Sequence, residues 1–204
     1  MLVIGLTGSI GMGKSAVAAR LRTLGVGVCD ADAEVHKLYE GAAVAPIETA
    51  FPGTTSAGKV DRQKLAQALL SSPEKFKQLE AIVHPLVFEA ERTFLRVEAA
   101  RGASLAVLEI PLLLETGGER RVDCVIVVSA PSEAQRARVL ARPGMTAEKL
   151  DQLLARQMPD AEKRKRADFV VDTGGTHAET DAQVDKIVES LQSRTGSAYA
   201  KFWA

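Results

Sequence analysis

Eight residues near the start of the chain, Gly8-Ser9-Ile10-Gly11-Met12-Gly13-Lys14-Ser15, satisfy the spacing G-x-x-x-x-G-K-[ST] at every fixed position. An apolar, strand-like run (residues 2–6) precedes them and a helical pattern (residues 14–24) follows. Strand, loop and helix in that order form a cradle for the phosphates of a nucleoside triphosphate. Gly8, Gly11 and Gly13 let the backbone turn tightly enough to point its N–H groups inward. The helix contributes its positive N-terminal end, Lys14 is placed for the β- and γ-phosphates, and the Ser15 hydroxyl is placed to ligate Mg²⁺. Met12 and Ala16 contribute through their backbones. The chain is therefore expected to bind ATP or a close analogue, with Gly8, Gly11, Met12, Gly13, Lys14, Ser15 and Ala16 around the phosphates.

Four more apolar runs, residues 26–29, 105–109, 124–128 and 169–171, have the Val, Ile and Leu content of strands covered on both faces. Helical patterns separate most of them, and Pro131 opens one such helix over residues 132–141. Alternation of this kind predicts an α/β fold: a five-stranded parallel sheet flanked by helices, joined by right-handed crossovers. Two stretches break the rhythm. Residues 31–104 carry helical periodicity without a buried strand, with helices expected at 31–39, 62–70, 73–79 and 86–100 and a turn-rich join at 51–58. Residues 33–100 thus read as an inserted helical segment suited to holding an acceptor. The charged, helical stretch 142–166 reads as a lid, within one domain spanning 1–204. The tail 195–204 is expected to be loosely attached, with Phe202 and Trp203 as its docking residues if it docks.

Composition mainly excludes. Lys plus Arg equals Asp plus Glu, 26 of each, so the formal charge is zero and no bulk attraction to nucleic acid or an anionic membrane is expected. Cys29 and Cys124 lie in or beside apolar runs and read as buried thiols. The chain begins on a strand-like run with no basic segment leading into a long apolar stretch. This predicts a cytoplasmic protein with no membrane association. A monomer is expected rather than a stable oligomer. His36 and His177 have no partner at metal-ligand spacing.

No Asn-Lys-x-Asp specifies guanine, and Asp172-Thr173-Gly174-Gly175 fits D-x-x-G only after the last strand, where a switch does not belong. Glu109 ends a strand and is placed either to hold Mg²⁺ through water or to pair locally. Beyond the loop come Asp30-Ala31-Asp32, Asp61-Arg62, His84-Pro85, Pro111-Leu112-Leu113-Leu114-Glu115, then Gln135, Arg138, Arg142, Gln157 and Ala167-Asp168. In that order these resemble dephospho-CoA kinase, from Ile4 to about Gly174. The departures are Ser9 and Ala16 for Gly and Thr, Leu114 for a frequent Phe, and Asp172-Thr173 where Asn is often seen.

The resemblance implies an ATP- and Mg²⁺-dependent kinase that phosphorylates the ribose 3′-hydroxyl of dephospho-CoA. It implies Asp32 as the carboxylate that orients and deprotonates that hydroxyl, the alternative being a helix cap. It implies catalytic roles for Lys14 and for Arg142, the latter reaching the transferring phosphoryl or the adenine side from the lid, the alternative being an exposed surface arginine. Arg138, four residues before Arg142 and so on one helix face with it, is expected on the nucleotide. Arg62 and His84 are expected to contact the acceptor, His84 from between two helices. Asp30 is expected to hold the turn or a metal-bound water, and the basic run 163–166 to be a solvated face. A kinase for another small metabolite or a nucleoside monophosphate, or an ATP-binding module without chemistry, remains open on the residues alone.

Overall fold

The computed structural model describes residues 1–70 and 72–204. The chain divides into two compact units, Met1–Cys29 with Leu95–Ala204, and Asp30–Phe94.

The first unit is built on β1 (Leu2–Thr7), β2 (Gly27–Asp30), β5 (Leu105–Glu109), β6 (Cys124–Ser129) and β7 (Phe169–Asp172), a parallel sheet in the order β2-β5-β1-β6-β7. All five expected strands are present, their bounds within about one residue of those read from the sequence. β1 lies at the centre, with Leu6 opposite Glu109 on one side and Thr7 opposite Val127 on the other. Every residue of β1, β5 and β6 is buried, which is why their sequences run apolar without alternation. Helix α1 (Lys14–Thr23) buries Val17, Ala18 and Leu21, and α9 (His177–Leu191) buries Val184, Ile187, Val188 and Leu191 in the same core. Burying each of the large aliphatic side chains is worth about 1.5–3 kcal/mol. At the surface, Arg20 clamps Asp185 through two hydrogen bonds of 2.7 and 2.6 Å. Both cysteines are buried, and burial, with Asp168 nearby, pushes the Cys124 thiol up to about 12.

The second unit contains α2 (Ala31–Leu38), α3 (Val44–Ala50), a minimal hairpin of β3 (Thr55–Ser56) and β4 (Lys59–Val60), α4 (Arg62–Leu69) and the larger part of α5 (Pro73–Ala100). Its own core gathers Ala43, Ile47, Phe51, Val60, Leu65, Leu69 and Val83. The hairpin occupies part of the expected turn-rich join, and α3 was not expected. α5 runs unbroken through Pro85, so His84 lies inside one helix and not between two. A proline there removes one backbone donor and costs roughly 3 kcal/mol. Leu79, Ile82, Val83, Leu86 and Val87, on both sides of it, pack into the core of this unit and offset that cost.

The tail is docked, contrary to the expectation of a loose end. Trp203, in a short π-helical turn (Tyr199–Trp203), is 1% exposed and donates its indole N–H to the Arg121 carbonyl at 2.8 Å. Asp123 staples the approach: its carboxylate accepts from Ser197 N and Ala198 N at 2.7 and 2.8 Å, and from Val3 N of β1 at 2.9 Å. An acidic residue just before β6 thus ties the C-terminus to the central strand. Truncating the buried indole (Trp203→Ala) is expected to cost about 3–5 kcal/mol and to lower the Tm by roughly 10 °C. A thermal scan with Tm unchanged would show that the tail contributes nothing.

Between α7 (Ala147–Leu154) and β7, α8 (Asp160–Lys165) corrects another expectation, at one residue of the run 163–166, whose other three are exposed. Lys163 is fully buried, not part of a solvated face; its Nζ lies 2.8 Å from Glu115 Oε1 and 3.4 Å from the Pro111 carbonyl. An ammonium there is tolerable only because the carboxylate and carbonyl replace its lost hydration. Among the described residues no helix is long and apolar enough to cross a membrane.

Candidate active site

The loop between β1 and α1 is held from outside, leaving its inner lining free. Gly11 (φ 77°) and Gly13 (φ 90°) lie in the left-handed region that side chains disfavour. A Cβ on Gly11 would stand 2.5 Å from Val139 Cγ2, and one on Gly13 2.9 Å from Thr173 Oγ1. The Ile10 residue is gripped on both sides: its carbonyl accepts from Gln135 Nε2 at 2.8 Å and its N–H donates to Gln157 Oε1 at 3.1 Å. The Met12 side chain is buried, its sulfur receiving the Ala130 N–H at 3.1 Å, and its carbonyl accepts from Thr173 Oγ1 at 2.7 Å. Among the described residues no acceptor takes the N–H groups of Gly11, Gly13, Lys14 or Ser15, and no side chain caps α1. Four unpaired donors at a helix N-terminus form an anion nest.

Lys14 Nζ lies 3.9 Å from the carboxylate of Glu109, the last residue of the neighbouring β5, whose side chain is only 7% exposed. The pair sets a cation and an acid side by side at the mouth of the loop. Ser15 follows that lysine and is exposed on the first turn of α1. A free hydroxyl and a nearly buried carboxylate on neighbouring elements suit a hard cation, and Mg²⁺ bound with phosphates needs only one or two protein oxygens.

Arg138, on α6 (Ser132–Leu140), turns its guanidinium to Thr173 and not away from the protein: Nη1 donates to Oγ1 at 3.0 Å and Nη2 to the carbonyl at 2.6 Å. Through Thr173 it braces the Met12 carbonyl. Arg142 lies beyond the helix, one residue past its cap at Ala141, so the two arginines do not share a helical face. Its side chain is exposed and has no partner among the described residues.

In the second unit, Asp30 caps α2 by accepting from Ala33 N at 3.1 Å, so it holds the turn. Asp32 is therefore not the cap. It is exposed in the first turn of α2, two residues past β2, and its carboxylate has no partner among the described residues. Arg62 opens α4, which Asp61 caps, and its Nη1 lies 3.1 Å from His36 Nε2 on α2. Burial pushes the nearby Tyr39 phenol up while the Arg62 cation pulls it down. His84 is exposed on α5.

The family model for dephospho-CoA kinase (CoaE) matches residues 2–179. The chain belongs to the dephospho-CoA kinase family. It is 53% identical over 198 residues to the dephospho-CoA kinase of Brucella melitensis, covering 97% of this chain and 99% of that one. It is 56% identical over 190 residues to that of Rhodopseudomonas palustris, covering 93% and 96%. A crystal structure from Thermus thermophilus (TT1252) superposes with a TM-score of 0.80 at 40% identity, over 93% of this chain and 96% of that one. The Pro-Leu-Leu-x-Glu stretch that marked the resemblance to dephospho-CoA kinase has a plain structural use in this chain. Leu113 and Leu114 pack with Val125 and Val127, and Glu115 neutralises Lys163 and accepts from Met158 N.

Three supports of the loop had no role assigned from sequence: Gln135, Gln157 and Thr173. Gln135 had a usable signal. It lies four residues before Val139 on the buried face of α6, and a polar residue at a core position must have a partner. Thr173 and Gln157 sit beyond the ends of elements, and their bonds to residues 12 and 10 cross more than 140 positions of sequence.

Proposed function

We propose that this protein transfers the γ-phosphoryl group of ATP to the ribose 3′-hydroxyl of dephospho-CoA, yielding CoA and ADP, the last step of CoA biosynthesis. As a family member it is an ATP-dependent phosphotransferase. One observation carries the residue-level reading: Asp32 follows a strand end, where ligands of open α/β sheets bind, and its carboxylate is unpaired because Asp30 caps the helix instead.

In this reading the free N–H groups of the loop, with Gly8 and Ala16 beside them, hold the ATP phosphates. Lys14 leaves Glu109 to neutralise the β- and γ-phosphates. Asp32 orients the acceptor hydroxyl and takes its proton as the new O–P bond forms. Arg142, unpaired and exposed, closes on the transferring phosphoryl as its charge redistributes, a term that dominates phosphoryl transfer. Arg138 serves the nucleotide through Thr173 and the loop. Ser15, with Glu109 as the nearby acid, would hold Mg²⁺, which when bound neutralises phosphate charge. Residues 33–100 supply the acceptor contacts, Arg62 and His84 among them, and residues 142–166 act as the lid. The protein works in the cytoplasm as a monomer, with no nucleic-acid or membrane partner.

The test is ATP consumption with dephospho-CoA, shikimate, AMP and CMP offered separately. The expected result is turnover with dephospho-CoA alone. Preference for another acceptor would overturn the substrate, and ATP binding without any turnover would leave a nucleotide-binding module.

A further inference from the structure

Gln157 lies between α7 and α8, toward the C-terminal side of the lid segment, and its amide oxygen accepts the Ile10 N–H of the phosphate loop at 3.1 Å. The residues after it are fixed: Met158 N donates to Glu115 at 2.8 Å, Asp160 Oδ2 accepts from Ser129 Oγ at 2.7 Å, and Lys163 is buried against Glu115. The residues before it have fewer ties to the rest of the chain. From 142 to 156 the side chains are largely exposed, Leu150 being the one buried residue, and the ion pair Arg136–Asp151 is at the surface. Gln157 therefore stands where an anchored root meets a freer segment, and its side-chain bond goes to the loop that takes the phosphates.

We propose that Gln157 is a positioning residue that couples occupancy of the phosphate loop to closure of residues 142–156. Gln157 fixes the Ser9–Ile10 peptide through the Ile10 N–H while Gln135 fixes the Ile10–Gly11 peptide through the Ile10 carbonyl, so the two peptides that meet at Ile10, and with them the direction of the Gly11 N–H, are set together. Phosphate binding to the Gly11 N–H stiffens the same stretch and, through Gln157, the start of the anchored root. The coupling needs the acceptor oxygen of residue 157, not its bulk. It rests on the reading of the loop as the ATP site.

The experiment compares the parent chain with Gln157→Leu, which keeps the volume and loses the acceptor, and Gln157→Glu, which keeps an acceptor. ATP affinity, kcat, the KM for dephospho-CoA and nucleotide-dependent protection of residues 142–156 from proteolysis are measured on each, with Tm as the control for folding. In Gln157→Leu, ATP affinity is expected to fall about three- to tenfold, the effect of one lost hydrogen bond, and ATP-induced protection to disappear. The KM for dephospho-CoA and the Tm stay near the parent values, and Gln157→Glu regains the protection. If Gln157→Leu keeps parental ATP affinity and protection, or loses them only in step with a fall in Tm, the coupling role is wrong. A parent chain that itself fails to bind ATP would instead overturn the reading of the loop.

Discussion

Replacing Asp32 with alanine is expected to lower kcat by about 10²- to 10⁴-fold, the range for loss of a general base, while ATP affinity changes by less than about twofold. The split follows from the position of the residue. Its carboxylate has no partner among the described residues, so removing it breaks no capping bond, and Asp30 still holds the start of α2. Stability should therefore be unchanged, since substitutions at such exposed sites generally fall within about 0.5 kcal/mol. Steady-state kinetics alongside ATP titration would check this. Near-parental kcat in Asp32→Ala removes the residue from the proton-accepting role, and a loss of ATP binding of the same size as the loss of rate would make it a nucleotide contact.

Lys14→Met should show a different pattern, weakening both ATP binding and turnover. Loss of a single preorganised donor aimed at developing charge costs about 10²- to 10³-fold in rate, or roughly 3–4 kcal/mol. Methionine retains an aliphatic stem at the start of α1 and loses only the cation. Glu109, 3.9 Å from the ammonium in the parent, then faces the phosphates without that cation between them, which adds repulsion to the lost attraction. The defect in ATP affinity should persist at saturating acceptor, a condition that separates it from Asp32→Ala. A rate within about tenfold of the parent would mean that the nest of N–H groups carries the phosphate chemistry without the lysine.

How much of this was legible in the sequence depended on range. The loop could be read because its chemistry lies in eight consecutive residues with a fixed spacing, flanked by a strand and a helix. The five strands could be read because burial on both faces leaves unbroken apolar runs, as in β1, β5 and β6. Where a local signal competed with packing, reading failed. His84-Pro85 marks a helix break by any local rule, yet Val83 and Leu86 on either side belong to one core and hold α5 continuous. The β3–β4 hairpin has only two residues per strand, too few to show alternation. Lys163 looked like one charge in a basic run, because its partner Glu115 lies 48 positions earlier. Trp203 stood out as a docking candidate, but the Asp123 contacts that fix the tail span more than 70 positions.

The site divides the same way. The phosphate half followed from residues 8–15. The roles of Asp32, Arg62, His84 and Arg142 came from resemblance, and the geometry bears on each differently. It leaves Asp32 and Arg142 unpaired among the described residues, engages Arg62 with His36, and turns Arg138 toward Thr173. The Thr173 position, which departs from the family pattern, provides the hydroxyl that links Arg138 to the Met12 carbonyl. A residue that stood out only by its difference thus braces the phosphate loop.

The most direct measurement is the identity of the product formed from ATP and dephospho-CoA. Mass spectrometry with ³¹P NMR should find one equivalent of ADP and a product one phosphoryl group heavier than the acceptor, bearing a phosphomonoester on the ribose 3′-oxygen. A phosphate at any other position, or ADP formed with inorganic phosphate and unchanged dephospho-CoA, would contradict the account.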